Sequence, residues 1–153
     1  SSFTLAHSLT LALSALDVVI VAQRPIEAAI AASIVLLAYE TLTDRQSLSH
    51  RFPALVAFSF GLIHGLGFAG ALSEIGLPEG SRLGALLLFN IGIEIGQIAI
   101  VVGVLIALRA LPLRRLPLPT QTWLRSLPAV AIGGVASYWF IERALSIVLP
   151  LIS

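Results

Sequence analysis

The chain predicts an all-α fold, a polytopic transmembrane helical bundle of about five spans, and three observations predict it. Hydrophobic residues make up 58% of the 153 residues and charged residues only 11%. Mean hydropathy is +1.00, well beyond that of a soluble domain of this length. The apolar residues are gathered into long runs, and the polar ones fall between them. A helix needs roughly 20 apolar residues to cross a bilayer, so about five crossings and their loops exhaust the length. The chain 1–153 therefore reads as a single transmembrane domain.

The first run, 3–22, ends at Gln23-Arg24-Pro25, where proline restricts the residue before it and favours a new helix start. The second, 26–42, gives way to the polar stretch Thr43 to Arg51, which reads as an aqueous loop. The third, 53–75, stops at Gly76-Leu77-Pro78-Glu79-Gly80, whose glycine and proline content is turn chemistry. The fourth, 83–108, is the longest. Between it and the fifth, 127–149, Pro112, Pro117 and Pro119 favour an extended connection. Trp123, Tyr138 and Trp139 read as anchors at the membrane surface.

All nine basic residues are arginine, and cysteine and methionine are absent. Disulfides, thiolate metal sites and cysteine nucleophiles are excluded. Lacking methionine and opening two residues before an apolar run, the chain reads as a fragment or a processed product. Arg45, Arg51, Arg109, Arg114, Arg115 and Arg125 fall on one side of five spans, and Arg24, Arg82 and Arg143 on the other. The richer side is expected in the cytoplasm, with the chain start there. A net charge of +1 gives no reason to expect nucleic acid as a partner.

Several polar side chains stand inside the apolar runs, where an ionisable group marks function. At about 100° per residue, His7, Thr10, Ser14 and Asp17 form one stripe on the first span. The fourth span carries Asn90, Glu94 and Gln97 on one face and Gly92, Gly96, Ala99 and Gly103 on the other. His64 sits at a depth similar to that of Glu94, with Gly61, Gly65 and Gly67 leaving room around its ring. A direct meeting of His64 and Glu94 is geometrically possible. Glu27, in the first turn of the second helix, is explained by the helix dipole. Glu40 is read as an interfacial residue and not as a ligand.

Two deep imidazoles and a carboxylate, without thiol or thioether, offer ligands of borderline hardness. They suit a divalent transition metal ion, Ni²⁺, Zn²⁺, Co²⁺ or Cu²⁺, better than Cu⁺. His7, His64 and Glu94 are the expected metal ligands, supported by Asp17, Asn90 and Gln97. Such a set leaves a coordination position open, which suits an ion that must also leave. Neither a Gly-x-Ser-x-Gly nor an HExxH pattern occurs, so the chain is not expected to be an enzyme.

Four blocks then carry a resemblance: Phe3 to Leu11, Glu27 to Ile34, Phe60 to Ala69, and Phe89 to Gln97. In that order they resemble the HupE/UreJ family of bacterial membrane proteins, which is associated with hydrogenase and urease accessory functions and with nickel permeation. The resemblance implies divalent metal uptake across the bacterial inner membrane. It is closer to a second branch of the family, because His64-Gly65-Leu66-Gly67 has glycine where the nickel permease branch tends to place an acid. The Asp-His segment that members usually carry upstream of Phe3 is not in this chain. The expected function is a metal permease or metal-handling membrane protein; the alternative is a structural or assembly subunit of a larger membrane complex. Besides the lipid bilayer, the expected partners are other membrane helices or a second membrane subunit.

Overall fold

A computed structural model describes residues 1–43, 47–75, 82–110 and 117–152. Among the described residues the regular elements are all helices: α1 (Ser2–Ala15), α2 (Gln23–Thr43), α3 (Leu48–Arg51), α4 (Pro53–Ile75), α5 (Arg82–Ala110) and α6 (Leu118–Ile152). The all-α reading holds. Three segments, Gln23–Thr43, Gly84–Ala110 and Ser126–Pro150, are long and apolar enough to cross a membrane. The 23 residues of α4 rise about 34 Å, also enough for the hydrocarbon core.

The first boundary differs from the sequence expectation. Helix α1 ends at Ala15, and Asp17 takes a left-handed backbone with φ 57°. The Val18 N–H donates to the Leu13 carbonyl at 2.9 Å and the Asp17 N–H to the Ser14 carbonyl at 3.0 Å. Those two bonds define a Schellman ending, with Asp17 where glycine is more usual. A short polar side chain tolerates that conformation better than a branched one. Residues 16–22, assigned to the first span by their hydropathy, therefore stand outside the helix. Asp17 leaves the stripe of His7, Thr10 and Ser14.

Helix α2 takes up Pro25 in its first turn, where an N–H would have no intrahelical acceptor. The polar stretch after it contains the single turn α3, capped by Ser47 Oγ, which accepts from the His50 N–H at 3.4 Å. Pro53 then opens α4 at the position where its missing donor costs least. The last helix starts earlier than expected, at Leu118. Proline at the first helical turn starts helices as readily as it extends linkers, so Pro119 does not hold 118–126 in an extended form. Pro112 and the turn 76–80 lie outside the described residues.

Packing sets the helices in the order α5, α1, α4, α2, α6. Helix α1 packs chiefly on α4 and α2 chiefly on α6, while a smaller α2–α4 contact joins the pairs and α5 rests on α1. The α1–α4 approach depends on two glycines one turn apart. A β-carbon at Gly61 would stand 2.9 Å from Ala6 Cβ and closer still to the Phe3 carbonyl; one at Gly65 would collide with the His7 carbonyl and Thr10 Oγ1. The α2–α6 pair is joined by an ion pair, Arg143 Nε to Glu27 Oε2 at 2.7 Å. Arg24 adds a bond to the Ser146 carbonyl at 3.1 Å. Glu27 thus does more than meet a helix dipole, and Arg143 within α6 is paired across helices as well as near Glu142. From Gln97 to Ala110 every residue of α5 is exposed, the surface that a helix facing lipid presents.

Candidate functional site

The central feature is the seam between α1 and α4. Gly61 and Gly65 bring the two backbones close enough that residues on either side of the seam share neighbours. His7, on α1, is only 3% exposed. Its ring stacks on Phe3 at 5.7 Å between centroids and approaches Phe68 at 6.3 Å and Phe89 at 6.5 Å. His64, at the midpoint of α4, meets the same Phe3 ring in a T-shaped arrangement, 5.4 Å between centroids. Phe3 therefore stands against both imidazoles.

Polar atoms on α1 and α5 are poorly satisfied here. Both ring nitrogens of His7 are buried and find no hydrogen-bond partner among the described residues, and neither does Asn90 Oδ1. A neutral imidazole has one donor and one acceptor nitrogen, and a buried group left unpaired costs about 1–3 kcal/mol. Asn90 uses only its amide nitrogen, donating to the Leu86 carbonyl at 3.0 Å. Imidazole lone pairs and an amide oxygen are, by donor type, suited to a borderline divalent cation.

His64 is differently placed. Its Nε2 lies 3.2 Å from Ser33 Oγ on α2. Both residues line a cavity of about 250 Å³ whose walls include Phe3, Val56, Phe60 and Ser49. At the α3 end Ser49 donates to Glu40 Oε2, an interaction that fits the interfacial reading of Glu40.

Glu94 faces α1, as the polar side of α5 should. Thr4 Oγ1 donates to Glu94 Oε2 at 2.5 Å, and the Ser1 nitrogen is 3.1 Å from Oε1. His64 meets α1 through Phe3 and Glu94 meets it through Thr4, while α4 and α5 touch through Phe68 and Phe89 at 4.7 Å; among the described residues no hydrogen bond or ion pair joins His64 to Glu94. Among the described residues no group of three or more His, Asp or Glu side chains is gathered closely enough to hold a metal ion. The structure brings His7 and His64 to one aromatic ring, keeps Asn90 and Glu94 on one face of α5, and leaves Gln97 and Asp17 exposed. The glycine face behaves differently from the polar one: a β-carbon at Gly92, Gly96 or Gly103 would meet nothing within 4 Å.

Ser33 and Thr4 are the polar contacts that sequence reasoning did not single out. Ser33 is a lone hydroxyl amid alanines at the middle of an apolar helix, and Thr4 lies one turn before His7; those placements were the available signals.

The fold and the site define a helical membrane protein with an imidazole pair at a glycine-lined helix seam. The chain belongs to the HupE/UreJ family: the family model described as HupE / UreJ protein matches residues 1–143. Searches of curated proteins and of solved structures gave no match to the chain.

Proposed function

We propose that the chain is a divalent metal permease or metal-handling protein of the bacterial inner membrane, with Ni²⁺ the foremost substrate. The observation that carries this reading is His7, 3% exposed with neither ring nitrogen bonded. The family's link to nickel and metal accessory transport supports it. His7 and His64 would exchange for water around a partly dehydrated cation, and Asn90 Oδ1 would add an oxygen donor. Glu94, one turn along α1 from His7 by way of Thr4, would offset the charge of the approaching ion. Few protein ligands give a weak site, and weak sites release what they bind. In this reading the arginine-rich loops lie in the cytoplasm.

A second reading, a structural or assembly subunit, draws on one observation: the open glycine face of α5 at Gly92, Gly96 and Gly103. Small residues let another backbone approach closely, as in helix–helix docking. Elemental analysis of protein purified in detergent and equilibrated with Ni²⁺ separates the two. Metal content near one ion per chain that drops in both His7→Ala and His64→Ala supports the permease reading. Equal, substoichiometric metal in all three proteins overturns it in favour of the subunit.

A further inference from the structure

Ser33 fixes which nitrogen of His64 carries the proton. Its hydroxyl has one hydrogen and sits within bonding distance of two groups, the Ile30 carbonyl at 2.7 Å and His64 Nε2 at 3.2 Å. A carbonyl oxygen can only accept, so the Ser33 hydrogen goes to Ile30. The remaining contact closes only if His64 Nε2–H donates to Ser33 Oγ. A neutral His64 then holds its lone pair on Nδ1.

We propose that Ser33 is a positioning residue for metal binding: it locks His64 as the Nε2–H tautomer and presents Nδ1 as the ligating nitrogen. The role as a ligand rests on the metal-handling reading; the tautomer does not. Ser33 is 5% exposed at the middle of α2, and His64 lies at the middle of α4. A hydroxyl already held by its own helix is a rigid acceptor. Hydrogen bonds of this kind orient metal-binding histidines elsewhere, and their loss typically costs about 10–100-fold in metal affinity.

The test is ¹⁵N nuclear magnetic resonance of protein labelled in histidine, in detergent at a pH where the imidazoles are neutral. The chain has only three histidines, so the His64 signals are those missing from His64→Gln. In the wild type Nε2 should be of protonated type and Nδ1 unprotonated. Ser33→Ala should mix the tautomers and weaken Ni²⁺ binding about 10–100-fold, and Ser33→Thr, which keeps a hydroxyl, should restore both. A wild-type ring protonated at Nδ1, or an unchanged His64 spectrum in Ser33→Ala, overturns the tautomer assignment. Unchanged Ni²⁺ affinity in Ser33→Ala overturns the positioning role. Should Ni²⁺ fail to move the His64 signals of a ring that shows the expected tautomer, the metal-handling reading fails while the tautomer stands.

Discussion

Alanine substitution should affect the two glycine sets of this protein in opposite ways. In a helix interior alanine is favoured over glycine by about 1 kcal/mol. At Gly92 and Gly96, where a β-carbon meets nothing within 4 Å, that gain stands alone. At Gly61 the new carbon lies 2.9 Å from Ala6 Cβ, whereas ordinary contact begins at 3.4 Å, so α1 must retreat by about 0.5 Å for that atom alone. The Phe3 carbonyl requires more, and at Gly65 the obstacle is again backbone, which cannot rotate aside. Overpacking of this sort costs about 1–3 kcal/mol. Gly61→Ala and Gly65→Ala should therefore melt below Gly92→Ala and Gly96→Ala by about 2–12 °C, taking about 2–4 °C per kcal/mol for a chain of this size. Circular dichroism melts in one detergent provide the comparison. Because His7 moves with α1, Ni²⁺ affinity should fall in the first pair and hold in the second. If all four variants shift the melt alike, the α1–α4 seam is not packed as described.

Three further outcomes are expected. Protons and Ni²⁺ compete for the same imidazole lone pairs, so affinity should fall as pH drops from about 8 to about 5; a flat profile by isothermal titration contradicts histidine ligation. Breaking the ion pair with Arg143→Met should destabilise the protein, and adding Glu27→Gln should recover part of the loss. The coupling from this double-mutant cycle should be about 1–3 kcal/mol, between exposed and fully buried pairs, and a value near zero would mean that the pair does not join α2 to α6. Ala38 Cβ lies 2.8 Å from a β-carbon built at Gly133, and the chain has no native cysteine. A disulfide needs its Cβ atoms about 3.5 Å or more apart, so a double Ala38→Cys, Gly133→Cys variant should link on mild oxidation once α2 and α6 part by about 0.7 Å, seen as a linked peptide pair by mass spectrometry; free thiols at both positions would contradict α2–α6 packing.

Hydropathy sufficed for the helical class because lipid admits few other backbones, and it located α4 to the residue. It failed at the end of α1, since Asp17 stops the helix through backbone geometry while Val18 to Val21 keep the run apolar. It failed again at Leu118, where proline chemistry permits both a linker and a helix start. The wheel on α5 separated a polar face from a glycine face, and the structure turns the polar one to Thr4. Depth along a span placed His64 and Glu94 level but carried no information on the partners each would meet, Phe3 and Ser33 for the one and Thr4 for the other. The Ser33–His64 and Glu27–Arg143 contacts join different helices, so no periodicity within one segment could disclose them.

The order of the helices in space has a consequence for biogenesis. The seam that encloses His7 joins α1 to α4, so during synthesis α1 is made before its main contact surface exists. The α2 helix finds its own chief neighbour only in α6, which emerges after α4 and α5. Early helices must then wait as separate lipid-solvated rods, and docking follows insertion. The histidine pair is consequently a late product of assembly: His7 and His64 do not share the Phe3 ring until the glycines of α4 have arrived to receive α1.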